Sequence, residues 1–250
     1  MPDDVRYRVM ELETLDPFKA IALEEVCLDS VKEGGDPMIH FWEWDRTAVT
    51  IGSFQMLTDE VYPDRCRKDR IPVIRRISGG GTMFHEPGQE FIFSLTAPPG
   101  VLSRDIPRSY REVLEPVKRG LEEIGIGSGI EENNLMVNDK KISGSSQRRL
   151  SKAILHHGTI LYDVNPYRML NYIKGDKVVP SGKGTCSNYR PVTCVRDLIE
   201  IDMEEVYLSV KAALLEGKDH YPSKWTEDEL IRADELVGSR YRNDDWNTKL

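Results

Sequence analysis

From residue 38 to residue 164 the chain returns again and again to short β-prone runs, with a single long amphipathic helical stretch among them. Runs 38–44, 48–51, 71–77, 82–85, 90–96, 135–137, 142–146 and 154–164 are rich in β-branched, aromatic and aliphatic residues and bounded by turn formers. Several adjoin through connections too short for a crossover helix, so the sheet they form is expected to be mostly antiparallel. Asp45-Arg46 between the first two predicts a hairpin. Helical patterns surround this block. Asp16-Pro17 followed by Phe18, Ala22 and Val26 reads as a capped helix ending at Gly34-Gly35. In 109–124, Tyr110, Val113, Leu114, Val117, Leu121 and Ile124 share one helical face, and Pro116 predicts a kink or a late start. Further helices are expected at 167–173, 203–215 and 226–237, and a short one within 59–70 limited by Pro63. Together these predict an α+β fold, a mostly antiparallel mixed sheet with packed helices, rather than a doubly wound one.

The 250 residues are enough to bury a full core and are read as one domain spanning 1–250. Lys and Arg number 34 against 42 Asp and Glu, a net charge of -8, which argues against unspecific nucleic-acid binding and against a polybasic membrane contact. No run approaches the roughly 20 apolar residues of a membrane span, and Met1-Pro2-Asp3-Asp4 lacks the features of a secretory signal, so a cytoplasmic protein is expected. Cys27, Cys66, Cys186 and Cys194 contain no C-x-x-C pair and read as reduced thiols.

Three segments carry chemistry. In Arg75-Arg76-Ile77-Ser78-Gly79-Gly80-Gly81-Thr82-Met83-Phe84-His85, the glycines permit either a tight turn or an anion-binding nest of backbone N–H groups beside two arginines. No Gly-Lys-Ser/Thr follows, so it is not a Walker loop. In Lys140-Lys141-Ile142-Ser143-Gly144 and on to Lys152, five cations stand with no acid, which fits a solvated strand edge or a lysine reaching a phosphate. In Leu155-His156-His157-Gly158-Thr159, adjacent histidines on a strand point to opposite faces, so one is expected toward a pocket and the other toward the core. The 174–190 segment, with four Gly or Pro, reads as a long loop of functional type.

In this order and spacing the three segments resemble the lipoate-protein ligase A family, with its R-R-x-S/T-G-G-G loop, K-x-S-G lysine and H-G-T/S strand. The resemblance runs from about Ala22 to the C-terminus, including Ile51-Gly52 with Gln55, Lys183-Gly184 and the Asp245-Trp246 ending. It implies the biotinyl/lipoyl-transferase fold, related to class II synthetase-like sheets. It also implies that lipoate is activated by ATP and Mg²⁺ to lipoyl-adenylate and passed to a lysine of a carrier domain. By position, Lys141 takes the family's catalytic lysine place. Arg76, Ser78, Gly79, Gly80, Gly81, Thr82, Met83, Phe84 and His85 take the adenylate- and substrate-binding stretch, joined by Ser143, Gly144 and His157. Lys183 and Gly184 fall in the loop that closes over adenylate, and Phe84, Val73 and Phe93 are expected to line the acyl tail.

Asn133-Asn134 replaces the family's frequent Asn-Asp and leaves these two as the candidate metal-side residues. The implied partners are a lipoyl carrier domain of a 2-oxoacid dehydrogenase or a glycine-cleavage H-type protein, with Arg148, Arg149 and Lys152 placed to steer it. The chain stops where single-chain ligases continue into an accessory domain, so a separate small accessory subunit is expected. Two other readings stand beside the ligase. One is an ATP-independent octanoyl or lipoyl transferase forming a thioester on Cys186. The other is a non-catalytic lipoate-binding or assembly subunit.

Overall fold

The computed structural model describes residues 5–178 and 181–250. Met1 to Asp4, and Val179 and Pro180 of the long loop, lie outside the described residues. The chain opens with β1 (Arg6–Leu15), α1 (Pro17–Lys32), β2 (Met38–Trp44) and β3 (Ala48–Ile51). The short helices α2 (Leu57–Glu60) and α3 (Pro63–Lys68) precede β4 (Val73–Arg75), β5 (Met83–His85) and β6 (Glu90–Ala97). Helix α4 (Ile106–Glu123) leads into β7 (Gly129–Glu131), β8 (Asn134–Val137), β9 (Lys140–Arg149), β10 (Ile154–Leu161) and α5 (Pro166–Met169). Helix α6 (Met203–Leu215), β11 (Asp219–Pro222), α7 (Glu227–Leu236) and α8 (Asp244–Asn247) follow.

Eight strands form one sheet in the order β11-β1-β2-β6-β10-β9-β8-β7, and β4-β3-β5 form a second, smaller one. Antiparallel pairs dominate, with parallel pairing at β1 with its two neighbours and at β3 with β4. The α+β reading therefore holds. One core packs α4 and α6 on one face of the large sheet, with Phe41, Phe93 and Ile160. A second packs α1 and α7 on the other face, with Trp42, Trp44 and Ile92. No helix among the described residues is long and apolar enough to cross a membrane.

Helix α1 starts where Asp16 accepts from the Phe18 and Lys19 amides, with Pro17 at the first helical position. Thr226 and Glu229 close a capping box on α7. The predicted hairpin at 38–51 is not formed. β2 joins the large sheet beside β1 and β6, whereas β3 pairs with β4 and β5. Both strands are buried along almost their whole length, and neither needs the other to cover it. Three strands escape the sequence reading. In β1, arginines and glutamates alternate with Tyr7 and Val9, and a bulge between Met10 and Leu12 breaks the period. β7 and β11 are short polar edges. Pro116 sits inside α4, ten residues after Ile106, so the helix does not start late.

Candidate active site

One face of the large sheet is the floor of a cavity of about 420 Å³, within the range of small-molecule sites. Its walls come from Gly80 to Phe84 of the glycine loop, the turn before β8, and residues 185–190. Strand register decides which floor residues face it. His40, Ser94, His157 and Ser146 lie opposite one another across β2, β6, β10 and β9. The next row toward the pocket is Trp42, Ile92, Thr159 and Gly144.

The same register corrects part of the expected site. Ser143 pairs with Leu135 and Ile160, both in the α4-side core, so it faces away from the cavity, and its buried hydroxyl has no partner among the described residues. Phe93 belongs to that same core and Val73 packs near Val49 and Ile51, so neither lines the cavity, while Phe84 does. Ile21, Trp42, Trp44 and Ile92 form the apolar part instead.

The glycine loop is organised from beneath by Arg76, only 6% exposed. Its guanidinium donates to Ser78 Oγ at 3.2 Å, Thr50 Oγ1 at 2.9 Å, Gly79 O at 2.7 Å and Gly81 O at 2.9 Å. No carboxylate pairs with it among the described residues. Burial pulls its pKa down to about 10, with Glu24 opposing, so it stays cationic at neutral pH. Gly80 holds φ +85, a conformation glycine adopts without strain. The Gly79 amide is spent on Gln147 O and the Thr82 amide on Ser187 Oγ. The amides of Gly80 and Gly81, both lining the cavity, find no acceptor among the described residues and remain available to an anion. Ser78 is fully buried and Gly79 does not line the cavity; Ser78 ties the loop to the floor through His157 Nε2 at 2.9 Å and Ser146 Oγ at 3.1 Å.

His157 faces the cavity as expected, and His156 faces the core, where Gln147 meets its Nδ1 at 3.0 Å. His157 Nδ1 pairs with Glu24 of α1, which is 1% exposed and also accepts from Ser94 Oγ at 2.9 Å. Burial would raise the Glu24 carboxyl, but the attraction of His157 outweighs it and holds the pKa below the usual carboxylate range. Glu24 was not foreseen. Its signal was an acid on the apolar stripe of Ala20, Leu23, Cys27 and Leu28.

Lys141 lines the cavity, and its Nζ lies 3.3 Å from where a Cβ on Gly144 would stand. It makes no hydrogen bond or ion pair through that ammonium among the described residues. Burial lowers its pKa; Glu90 opposes the shift, and Arg76 and Arg190 add to it. Two cations without an ion-pair partner among the described residues thus serve one pocket, a cost that a bound anion would relieve. Asn133 and Asn134 line the same wall, held by Asn133 Nδ2 to Ser145 O and by Asn134 Nδ2 to Asn133 Oδ1 at 3.3 Å. No group of three His, Cys, Asp or Glu side chains converges to hold a metal among the described residues.

Lys183 is exposed and, with Gly184, lies off the cavity wall. The segment that follows, 185–190, lines the cavity. It is latched by Ser187, whose amide donates to Glu60 Oε1 at 2.8 Å and whose hydroxyl accepts from Gln55 Nε2 at 3.0 Å and from the Thr82 amide at 2.9 Å. Glu60 also accepts from Thr82 Oγ1 at 3.0 Å, joining this segment to the glycine loop. Cys186 lines the cavity, and its thiol is raised by burial and then by Glu60 and Asp59. Arg149 points away from the cavity, bonding Ser109 Oγ, Ser103 O and Arg104 O at 2.8 to 2.9 Å, so it is not free to steer a partner.

Comparison with known proteins bears on the fold and the family. A lipoate-protein ligase A bound with ATP superposes with a TM-score of 0.83 at 25% identity, over 98% of this chain and 99% of that one. The bi-partite lipoate protein ligase of Thermoplasma acidophilum, described with its E2 lipoyl domain, superposes with a TM-score of 0.84 at 25% identity, over 98% and 97%. In sequence, the chain is 26% identical to a probable lipoate-protein ligase A of Mycoplasma pneumoniae over 92% of this chain and 68% of that protein. It is also 26% identical to octanoyltransferase LipM of an Exiguobacterium strain, over 96% and 97%. The family model for the lipoyl protein ligase A/B catalytic domain matches residues 16–215. The chain belongs to the lipoyl protein ligase A/B catalytic domain family.

Proposed function

We propose that this protein activates lipoate with MgATP to lipoyl-adenylate and transfers the lipoyl group to a lysine of a carrier domain. The observation that carries this reading is the pairing of Lys141 and Arg76, two cations without a carboxylate partner, with the two open amides of Gly80 and Gly81 in one cavity. Adenylation brings a carboxylate onto a triphosphate, two groups that repel, and fixed positive charge lowers that barrier. Arg76 spends its N–H groups on the loop, so it acts as a fixed charge that shapes the nest. Lys141, with a free ammonium, is the group that meets the acyl oxygen and the α-phosphate. The tail lies against Ile21, Trp42, Trp44 and Ile92, and the 185–190 segment keeps water from the anhydride. Mg²⁺ enters as part of the nucleotide complex, with Asn133 and Asn134 the nearest candidates to meet it.

The octanoyltransferase names among the relatives favour a second reading, acyl transfer without adenylation, for which Cys186 is the candidate thioester-forming residue. The acidic surroundings of Cys186 speak against it, because a nucleophilic thiol is activated by positive neighbours. The carrier is proposed to be a lipoyl domain or H-type protein, and residues 1–250 to act as one catalytic domain. A small accessory subunit is part of the proposal, by analogy with the Thermoplasma protein described as bi-partite.

The test uses purified protein with ATP, lipoate or octanoate, and a lipoyl domain, with and without an accessory subunit. ATP-pyrophosphate exchange and acylated carrier are the readouts. Lys141→Ala should lower exchange by about 10²- to 10³-fold with thermal unfolding unchanged. Full activity of that variant, or ATP-independent transfer abolished by Cys186→Ala, would overturn the ligase reading.

A further inference from the structure

Among the described residues four carboxylates line the cavity, and three are accounted for. Glu60 is latched to Ser187 and Thr82, Glu86 pairs with Arg168 at 2.8 Å, and Glu132 is exposed to solvent. Glu90, at the start of β6, is different. It is 1% exposed, its Oε1 bonds to His85 Nδ1, and its Oε2 is buried with no hydrogen-bond partner among the described residues. A carboxylate oxygen held out of water without a donor is costly, and such groups mark places where a ligand supplies the missing partner. Strand alternation puts Glu90 on the same face of β6 as Ile92 and Ser94, the face that floors the cavity. The charges of Glu90 and Lys141 act on one another across it.

The ligand that fits is a cation or strong N–H donor reaching the cavity close to Lys141. In acyl transfer to a carrier, ATP and lipoate both bring negative charge to this site. Mg²⁺ comes already bound to the phosphates of the nucleotide, whereas the acceptor lysine arrives as a free cation, and as an ammonium it cannot attack. We propose that Glu90 binds the ε-ammonium of the acceptor lysine and is the general base that frees it. This rests on the acyl-transfer reading above. The ammonium gives one proton to Glu90 Oε2. The amine nitrogen then attacks the acyl carbon, the C–N bond forms, and the C–O bond to the phosphate breaks. AMP departs carrying the second nitrogen proton on its phosphate. His85 is tethered on its far side by Thr50 Oγ1 at 2.8 Å and fixes the other Glu90 oxygen, leaving Oε2 to the substrate.

The two half-reactions separate this role from a structural one. Glu90→Gln keeps the shape and removes the base. Formation of lipoyl-adenylate, trapped as lipoyl hydroxamate with hydroxylamine, a nucleophile that is unprotonated at neutral pH, should fall far less than transfer, because only the influence of Glu90 on Lys141 is lost there. Transfer to the carrier lysine at pH 7 should fall by about 10²- to 10⁴-fold. It should recover as pH rises toward the range of a free lysine, about 10. Wild-type transfer by Glu90→Gln at pH 7, or an equal loss of adenylation and transfer, would overturn the proposal. Wild-type protein that makes no adenylate would overturn the ligase reading alone. The Glu90→Gln comparison would then be run with an acylated carrier as donor, where the acceptor lysine poses the same requirement.

Discussion

Arg75 and Arg76 are neighbours with opposite duties, and one peptide unit of strand alternation separates them. Arg76 reaches under the glycine loop. Arg75, fully buried, turns the other way and donates to the carbonyls of Gly52, Gln55, Trp246 and Asn247, bolting the C-terminal helix α8 to the strand that leads into the loop. In the sequence both simply stand beside the glycine loop, and the family resemblance assigns only Arg76 to the site. Glu24 is the converse case, a single acid from a packing helix that completes the site from across the molecule. Glu24→Gln leaves a buried histidine facing a neutral amide, and unfolding by denaturant should show a loss on the order of 3 kcal/mol. Lys141, Arg76 and His157 were legible because each belongs to a motif a few residues long. Glu24, Glu60, Glu90 and the two tryptophans were not, since the cavity that gives them meaning is assembled from distant elements, with Glu24 lying 133 residues from His157 and Glu60 lying 127 from Ser187.

At the scale of elements, the glycine loop depends on how closely the end of β3 approaches it. A Cβ on Gly52 would lie 2.2 Å from Gly80 O and 3.1 Å from Gly79 C, both backbone atoms that cannot rotate aside. Gly52→Ala must therefore push the loop toward the cavity or unseat β3. The expected result is a drop of roughly a hundredfold in pyrophosphate exchange, typical of a 1 Å misplacement, with a stability loss of about 1–3 kcal/mol. The predicted hairpin at 38–51 failed at this same scale. Short spacing made pairing of β2 with β3 attractive, yet each strand found better cover in a different sheet. Ser143 failed for a related reason. β9 carries one extra residue against β8 between Lys141 and Ser143, and that bulge sets which later side chains reach the cavity.

For the whole molecule, two buried histidines set a dependence on acid. Burial pushes His40 down to about 4 and His156 down to about 3, from 6.5 when unfolded. The unfolded chain takes up these protons as pH falls through 6.5 while the folded chain refuses them, so stability declines from about pH 6.5 downward. His40 alone contributes a decline on the order of 3 kcal/mol, complete near pH 4. Glu24 adds to it lower down. Its folded pKa is depressed below 4.5, so its contribution is present above that value and lost as pH falls through the folded one. Urea unfolding midpoints across pH 7 to 4 should fall steadily, and His40→Phe should flatten the upper part of that slope.

Local pattern sufficed for the α+β class, the helix caps, the loop glycines and the lysine strand, because propensity, capping and strand period act over a few residues. Tertiary structure decided the rest. It alone set which face of β9 meets the cavity, which acids stand beside the cations, and which loop residues close the mouth, because register and burial are properties of strands brought together from opposite ends of the chain.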